Sequence, residues 1–412
     1  MRIAVIGSGI SGLACGYLLA GSQDVTVFEA SARAGGHTRS FQVRRPEGNW
    51  AVDTGFVVFN RRTYPNFCLL LERLSVASQP SNMSFSLRNE KSGLEFCPSS
   101  LDRLFAQRRN LFRPRFWSMV RDLLRFRRET RHMLDESAED RTLEAYLQRG
   151  GYGRAFAEEF IMPMGASIWS ADPQRFGQFP VRYMVEFFAN HGFLERQQPQ
   201  WLTVSGGASR YVEKILDSIG DRVRLGCPVR SVRRKGGQVE LQTDSGSEMF
   251  DEVIFAVHSD QALSMLADPD DAEREILGQI PYQPNHVVLH TDATIMPQRR
   301  KVWASWNYLI PASPIGRVAI TYDMNILQSL DAPVEFLVTL NQSERIDPEK
   351  VILEFETGHP VYTPDSLAAR RRWEDISGRD GRHYCGAYWG FGFHEDGLAS
   401  ALRVCERFGV SL

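Results

Sequence analysis

The chain has 412 residues, of which 43% are hydrophobic and 24% are charged, and its formal net charge is −2. A near-neutral chain of ordinary composition has no general attraction to nucleic acid, and this length predicts more than one lobe. Its six cysteines have no CxxC motif or paired spacing, which predicts reduced thiols and no metal site. No apolar run reaches about 18 residues, and the first strand begins too early for a signal peptide. We therefore expect a cytoplasmic protein without a spanning helix.

The first 30 residues predict a strand, a glycine turn, a helix and a second strand. An apolar run over Arg2–Ile6 leads into Gly7, Gly9 and Gly12, and a second apolar run ends at Glu29. This order is the fingerprint of a dinucleotide-binding βαβ unit. The glycines permit the tight turn, the approach of a pyrophosphate and close packing of the helix, whose first N–H groups face the phosphates. Glu29 is the expected acceptor for the ribose hydroxyls.

Residues 29–38, EASARAGGHT, resemble the second half of the FAD signature of the flavin amine oxidase superfamily. That superfamily includes amine oxidases, protoporphyrinogen oxidases and carotenoid desaturases. Plain NAD-binding Rossmann domains lack the pair Gly35-Gly36, so the resemblance favours FAD. His37 stands where many relatives have arginine. Residues 52–56, VDTGF, resemble a short strand and turn beside the flavin, with a turn of no special function as the alternative.

Residues 61–199 are predicted to be mostly helical and contain a strongly basic segment. The stretch 101–131 holds ten arginines and three acids, interleaved with Phe, Trp, Met and Leu. Such a stretch can lie on an anionic membrane or contact a lipid headgroup. The alternative is a solvated helix face whose arginine stems cover the core. Further on, the apolar run 160–169 predicts either packed core or the wall of a substrate pocket.

The FAD-binding part resumes near Trp201 and continues through a hairpin. Val229 follows a proline, as does a residue whose backbone meets the adenosine part of FAD in relatives. Residues 251–257, DEVIFAV, resemble the apolar strand that closes this lobe. Beyond residue 261, alternating apolar residues predict one antiparallel sheet with strands at 285–290, 302–308, 317–322 and 336–340.

Residues 384–400, YCGAYWGFGFHEDGLAS, resemble the last FAD motif of the superfamily. The resemblance implies a strand that ends at Gly386 and a final helix that begins near Asp396 and points its N-terminus at the flavin. Ala387 stands where many relatives carry an acid. Together with residues 359–364, HPVYTP, the motif resembles a bacterial branch of FAD/NAD-binding, amine-oxidase-like proteins.

The predicted fold class is α/β. A Rossmann-like FAD-binding lobe with a central parallel sheet comprises residues 1–60, 200–260 and 359–412. An α+β substrate lobe comprises the helical insertion 61–199 and the antiparallel sheet in 261–358. The resemblance assigns FAD contacts to Gly7, Gly9, Ile10, Ser11, Gly12, Glu29, Ala30, Arg33, Gly35, Gly36, His37, Thr38, Thr54, Gly55, Phe56, Val229, Gly386, Ala387, Glu395, Asp396 and Gly397.

The resemblance also implies a reaction, the transfer of a hydride from a substrate C–H bond to N5 of the flavin. Many amine oxidases of the superfamily place a lysine near N5, and the matching strand around His286 has none. No cysteine stands near His359 to attach the flavin, so noncovalent FAD is expected. His394, His359 and His286 are candidates to orient a substrate or to move a proton. A hydrogen-bonded structural role is the alternative for each of them.

These features favour an FAD-dependent oxidoreductase that dehydrogenates or desaturates a hydrophobic small molecule, such as a lipid, an acyl chain or an isoprenoid. One alternative is an amine oxidase that produces an imine and hydrogen peroxide. Another is a flavin-binding accessory protein for a neighbouring enzyme. The expected electron acceptor is oxygen or a quinone. Peripheral contact with the inner face of the membrane, through residues 101–131, stays open.

Overall fold

A computed structural model describes residues 1–134, 141–195 and 199–412. The strands are β1 (Arg2–Ile6), β2 (Asp24–Phe28), β3 (Ser40–Arg45), β4 (Gly48–Asp53), β5 (Val58–Phe59), β6 (Ser78–Ser81), β7 (Phe85–Asn89), β8 (Leu94–Phe96), β9 (Trp201–Val204), β10 (Val223–Arg224), β11 (Val229–Lys235), β12 (Gln238–Thr243), β13 (Gly246–Phe250), β14 (Glu252–Phe255), β15 (Tyr282–His290), β16 (Trp306–Ile310), β17 (Ile320–Asp323), β18 (Leu337–Leu340), β19 (Val351–Pro360) and β20 (Arg382–Tyr384). The helices are α1 (Ile10–Leu19), α2 (Pro65–Arg73), α3 (Leu101–Leu104), α4 (Pro114–His132), α5 (Leu143–Arg149), α6 (Arg154–Phe156), α7 (Met162–Trp169), α8 (Val181–Asn190), α9 (Ser209–Ile219), α10 (Ser259–Met265), α11 (Asp271–Gly278), α12 (Met324–Leu327), α13 (Pro364–Arg371), α14 (Trp373–Ile376) and α15 (His394–Glu406).

Five parallel strands form the centre of the predicted FAD-binding lobe, in the order β10-β2-β1-β14-β20. They come from the beginning, the middle and the end of the chain. The last four residues of β1 are buried, as expected for a central strand of a parallel sheet. Helix α1 packs beside it with nearly all of its residues buried. The predicted α/β class and the Rossmann-like parallel sheet are confirmed.

A seven-stranded sheet organises the substrate lobe, in the order β19-β15-β18-β17-β16-β7-β8. Neighbouring strands are antiparallel, except that β16 and β7 are parallel. The predicted strands at 285–290, 317–322 and 336–340 overlap β15, β17 and β18. The one predicted at 302–308 begins only at Trp306, because residues 300–302 form a single 3-10 turn. The edge strand β19 was not assigned from the sequence pattern.

The structure differs from the predicted helical insertion at residues 78–96. Three strands lie there: β6 pairs with β9, and β7 and β8 join the seven-stranded sheet through β16. The partner of Ser86 in this pairing is Asn307, 221 residues away, so local periodicity could not reveal it. Residues 135–140 and 196–198, which also fall in the predicted insertion, lie outside the described residues. Within the described ranges, no helix has both the length and the apolar character to cross a bilayer.

Asp53, at the end of β4, ties the two lobes together. Its buried carboxylate accepts hydrogen bonds from the hydroxyl of Ser40 (2.5 Å), the backbone N–H of Ala208 (2.9 Å) and Nε2 of Gln328 (2.9 Å). Ser40 and Ala208 belong to the FAD-binding lobe, and Gln328 belongs to the substrate lobe. Burial raises the pKa of Asp53 to about 7. The carboxylate therefore fixes the two lobes at the place where the cavity between them begins.

Candidate functional site

A cavity of about 740 Å³ lies between the two lobes and is lined by residues of both. Its two parts differ in chemistry. We call the first part the nucleotide arm, which is lined by residues 6–11, 28–30, 36–37, 53–56, 228–230, 256–258 and 386–387. We call the second part the chamber, whose wall includes Ile168, Trp169, Phe187, His191, Phe193, Val287, Trp306, Tyr322, Val338, Leu340, Tyr362 and Phe393.

The nucleotide arm is built on two glycine turns that touch each other. Gly7 has a φ of +100°, and a Cβ there would lie 2.5 Å from the carbonyl oxygen of Ala256. A Cβ on Gly36 would lie 2.8 Å from the Cα of Gly9. A Cβ on Gly9 itself would meet no atom within 4 Å. Gly9 therefore faces open cavity, directly before the first turn of α1.

Helix α1 begins at Ile10, and its N-cap residue, Gly9, has no side chain that could cap the first N–H groups. The first N–H groups of a helix have no partner inside the helix, and the helix dipole is positive at this end. Ile10 and Ser11 line the cavity, so this end faces the nucleotide arm. A pyrophosphate supplies both the acceptors and the negative charge that the helix end lacks. The arm thus fits the diphosphate of a dinucleotide such as FAD.

Glu29 is held at the carboxyl end of β2 by two serines. Its Oε2 accepts from the N–H (3.0 Å) and the hydroxyl (2.5 Å) of Ser8, and its Oε1 accepts from the N–H (2.8 Å) and the hydroxyl (2.7 Å) of Ser31. The carboxylate lies in the wall of the nucleotide arm. The contact of Glu29 with the ribose of a dinucleotide stays a prediction.

The predicted FAD contacts separate into two groups in the structure. Those that line the cavity are Gly7, Gly9, Ile10, Ser11, Glu29, Ala30, Gly36, His37, Thr54, Gly55, Phe56, Val229, Gly386 and Ala387. Those that lie outside its wall are Gly12, Arg33, Gly35, Thr38, Glu395, Asp396 and Gly397.

Several residues of the second group shape the turns that carry the first. A Cβ on Gly12 would lie 1.9 Å from the carbonyl oxygen of Gly7, so Gly12 allows α1 to start directly against the turn. Arg33 donates to the carbonyl oxygens of Thr38 (2.9 Å) and Gly36 (3.2 Å), which holds the second glycine turn closed.

Glu395 and Asp396 make contacts within the protein. The Glu395 carboxylate accepts from the N–H of Asn66 (3.0 Å) and the N–H of Phe67 (3.0 Å), and so caps the N-terminus of α2. Oδ2 of Asp396 accepts from the N–H of Phe393 (2.9 Å), and burial raises the pKa of Asp396 to about 6. Because this carboxylate caps the helix from inside its first turn, α15 begins at His394, two residues before the predicted start.

His394 is fixed on three sides. Its Nε2 lies 2.8 Å from the hydroxyl of Tyr211 and 3.1 Å from Oγ1 of Thr38, and its ring stacks on Phe56 with the ring centres 3.7 Å apart. Burial, together with the nearby His37, lowers the pKa of His394 well below its ordinary value. This candidate therefore stays neutral at physiological pH and holds the beginning of α15 against the nucleotide arm.

His359 lies in the cavity wall beside His37, with the ring centres 5.2 Å apart. Burial and neighbouring imidazoles lower the pKa of His359 to about 3 and that of His37 to about 4. Asn341 donates to Oδ1 of Asn285, which turns Nδ2 of Asn285 toward Nδ1 of His359 at 3.2 Å. Since Nδ1 then accepts, the neutral ring carries its proton on Nε2.

His286 lies on the opposite side of β15 from the chamber. Side chains alternate along a strand, and Val287 lines the chamber whereas His286 does not. Its Nε2 lies 3.6 Å from Oε2 of Glu354 on β19. The structure therefore separates this candidate from the cavity.

The chamber is apolar and aromatic. Of the run 160–169, which the sequence predicts as core or pocket wall, Ile168 and Trp169 line the chamber. None of the chain's five lysines and six cysteines lines the cavity in the part of the chain that is described. His191 is a polar residue of the wall that no sequence motif indicates. Tyr362, from the run 359–364, also lines the wall, and its hydroxyl is buried without a partner among the described residues.

We expect His191 to lower the free energy of unfolding as the pH falls. Burial lowers the pKa of His191 to about 4, although the carbonyl oxygen of Phe187 partly opposes this. A base with a depressed folded-state pKa contributes stability that is complete above about pH 6.5 and is lost as the pH falls toward 4. Melting curves from pH 8 to pH 5 should show wild type losing roughly 2 kcal/mol more than His191→Gln. Equal losses in wild type and His191→Gln would show that the pKa of His191 is not depressed in the folded protein. His132→Gln, a substitution at an exposed position, is the control.

Comparison with known proteins gives one family match that spans most of the chain. The family model for flavin-containing amine oxidoreductases matches residues 10–311. A curated L-amino-acid oxidase from Trimeresurus stejnegeri is 44% identical over 55 residues, which is 13% of this chain and 10% of that protein. The matched part is thus about a tenth of the length of that relative.

Several solved structures have the same fold over nearly the whole chain. A protein from Exiguobacterium sp. 255-15 named as a protoporphyrinogen oxidase has a TM-score of 0.72 at 19% identity, covering 99% of this chain and 98% of its own. Cyclohexylamine oxidase from Brevibacterium oxydans IH-35A has a TM-score of 0.71 at 16% identity, covering 99% of both chains. A CLA-producing fatty acid isomerase from P. acnes has a TM-score of 0.70 at 17% identity, covering 99% and 98%.

Proposed function

Because the chain belongs to the family of flavin-containing amine oxidoreductases, we propose that it uses FAD to oxidise a hydrophobic substrate held in the chamber. FAD supplies the acceptor for a hydride from a C–H bond of the substrate. The observation that carries the proposal is the chamber wall, which is aliphatic and aromatic and has no lysine among its described residues. A lipid, an acyl chain or an isoprenoid suits this wall, whereas a small cation would lose its hydration there and find ring faces but no carboxylate among the chamber residues named above.

The protein's own contribution is to bind, to orient and to exclude water. The uncapped end of α1 and the open side of Gly9 suit the diphosphate, and Glu29 suits the ribose.

We propose noncovalent binding, since no cysteine lines the described cavity. Acid or heat denaturation should then release yellow FAD into the supernatant.

We further propose different roles for the two histidines in this region. His359 has a pKa near 3 and carries its proton on Nε2, so it suits a hydrogen-bond donor that orients a ligand better than it suits a base. His394 acts as a positioning residue, because Tyr211 and Thr38 already occupy its Nε2.

The alternative function is an amine oxidase that produces an imine and hydrogen peroxide. The family match and the likeness to cyclohexylamine oxidase favour it. An amine would have to enter the apolar chamber in its neutral form. The two functions therefore differ in the substrate that reduces the bound flavin.

Anaerobic bleaching of the flavin spectrum separates the alternatives. The purified holoprotein is mixed with fractionated lipids, isoprenoids and amines, and the loss of flavin absorbance is followed. We expect bleaching by a lipid or isoprenoid fraction and recovery of colour with oxygen or a quinone dye. Bleaching by amines alone, with peroxide on aeration, would support the amine oxidase. A flavin that no fraction reduces would identify an accessory flavoprotein.

A charge placed in the chamber tests where the substrate binds. Ile168 is partly exposed and lines the chamber, so Ile168→Lys should fold and bind FAD but oppose an apolar substrate. We expect the KM for the bleaching substrate to rise about 100-fold, which corresponds to about 2.7 kcal/mol. Met164→Lys is the matched control, since Met164 lies on the same helix, is also partly exposed and does not line the cavity. Equal effects of the two lysines would place the substrate elsewhere.

A further inference from the structure

Helix α4 exposes arginines and large apolar side chains on the same face. Trp117, Arg121, Leu124 and Arg128 follow one another at intervals of four, three and four residues, which places them on one side of a helix. All four are exposed, Trp117 by 47% and Leu124 by 61%. The other side of the helix packs into the substrate lobe through Phe116, Met119 and Phe126. Exposed tryptophan and leucine beside arginine are the composition expected of a helix face that lies on a membrane surface.

The apolar part of this face continues through the turn before α4. Phe112 is 85% exposed and Leu111 is 40% exposed. Nε1 of Trp117 donates to the carbonyl oxygen of Leu111 (2.9 Å), which fixes this corner to the helix. Six of the ten exposed large hydrophobic side chains among the described residues fall within 101–134. The exposed large apolar side chains are thus concentrated in one segment of the chain.

The two arginines of this face, Arg121 and Arg128, have guanidinium N–H groups that can donate to a further acceptor. No carboxylate of a described residue lies within 4.0 Å of Arg128. Arg121 lies 3.4 Å from Asp122, whose own carboxylate is buried and also accepts from the N–H of Gly153. Guanidinium groups bind phosphate oxygens in pairs, and tryptophan and phenylalanine settle at the boundary between headgroups and acyl chains. Arginines beside exposed aromatic rings match an anionic lipid surface in both charge and polarity.

The same helix holds part of the chamber wall. The guanidinium groups of Arg127 and Arg131 donate to the backbone carbonyl oxygens of Glu195 and Leu194. These two residues continue the segment whose His191 and Phe193 line the chamber. Helix α4 therefore carries the exposed face on one side and contacts the segment of the chamber wall on another.

We propose that this docking face, formed by Leu111, Phe112, Trp117, Arg121, Leu124 and Arg128, binds the surface of an anionic phospholipid bilayer. Binding of the docking face to a bilayer does not depend on which substrate reduces the flavin. Binding combines insertion of the apolar side chains at the headgroup boundary with attraction of the arginines to lipid phosphates, so it weakens with salt.

Vesicle sedimentation with the full-length holoprotein tests the docking face. Wild type should sediment with vesicles of phosphatidylcholine mixed with phosphatidylglycerol, much less with phosphatidylcholine alone, and less as salt is added. Arg121→Gln with Arg128→Gln should weaken partitioning roughly five-fold for each arginine. Phe112→Ser with Trp117→Ser should weaken it at every salt concentration. Flavin absorbance and the melting temperature show that each variant is folded.

Two exposed positions of the FAD-binding lobe and its neighbouring helix provide matched controls. Leu225→Ser and Arg274→Gln make the same chemical changes away from the docking face and should bind vesicles like wild type. Absence of binding to the anionic vesicles would overturn the proposal, as would equal losses in the controls. A concentration-dependent dimer that the face variants dissociate would also overturn it, since the face would then bind a second copy of the chain.

Discussion

Gly9→Asp is expected to give a folded protein that has lost FAD. A Cβ at this position meets no atom within 4 Å, and the φ of Gly9 is −68°, so a residue with a Cβ fits the backbone. The carboxylate of the aspartate then stands where the diphosphate approaches the positive end of α1. Loss of close approach and repulsion of like charges should weaken FAD binding at least about 100-fold, or about 2.7 kcal/mol. The purified variant should be colourless.

Gly21→Asp is the matched control for this variant. Gly21 follows α1 at its other end, is exposed, and likewise has no atom within 4 Å of an added Cβ. It should retain yellow colour and wild-type FAD affinity, measured by flavin fluorescence during titration of the apoprotein. Wild-type affinity in Gly9→Asp would show that the nucleotide arm does not hold the diphosphate.

Asp53→Ala should lower the free energy of unfolding by more than Asp53→Asn or Asp217→Ala does. The substitution removes one buried acceptor from three donors, on Ser40, Ala208 and Gln328. The Ser40 hydroxyl and the Ala208 N–H lose this acceptor, whereas Nε2 of Gln328 keeps its bond to the carbonyl oxygen of Ala51. Unsatisfied buried donors cost about 1–3 kcal/mol each, so we expect a loss of about 3–5 kcal/mol. Urea titration followed by circular dichroism gives the change in unfolding free energy. Release of FAD should occur at lower urea, because the two lobes are no longer fixed.

Asp53→Asn and Asp217→Ala set the scale for this measurement. The asparagine keeps one acceptor oxygen, so it should recover part of the loss. Asp217 is exposed on α9 and pairs with Lys214 at 3.4 Å, and its removal should change stability by about 0.5 kcal/mol or less. A cost for Asp53→Ala no larger than that of Asp217→Ala would show that the junction between the lobes does not depend on this carboxylate.

The glycine turns of the nucleotide arm could be located from the sequence because their signals are local. Gly7 and Gly12 satisfy steric requirements within a single turn, and the acid at Glu29 follows one strand later. The parallel sheet could be predicted for the same reason, since a buried central strand such as β1 is a continuous apolar run.

The chamber could not be predicted in the same way, because its wall is assembled from distant segments. Strand β7 joins the sheet through a partner 221 residues away, which no local pattern encodes. Glu395 illustrates a finer limit: it stands within the cofactor motif, but helix geometry turns its carboxylate back to the N-terminus of α2. His191 carries no motif and becomes part of the site only through the fold.

The strand order of the parallel sheet has a consequence for how the protein is made. β1 leaves the ribosome some 250 residues before its neighbour β14, and β20, which completes the edge, follows later still. The nascent chain must therefore keep an apolar central strand from pairing wrongly throughout most of translation. Helix α15 follows β20, and the hydroxyl of Ser11 on α1 donates to its Gly397 carbonyl oxygen. A chain that stops short of α15 therefore leaves the glycine fingerprint without this packing partner.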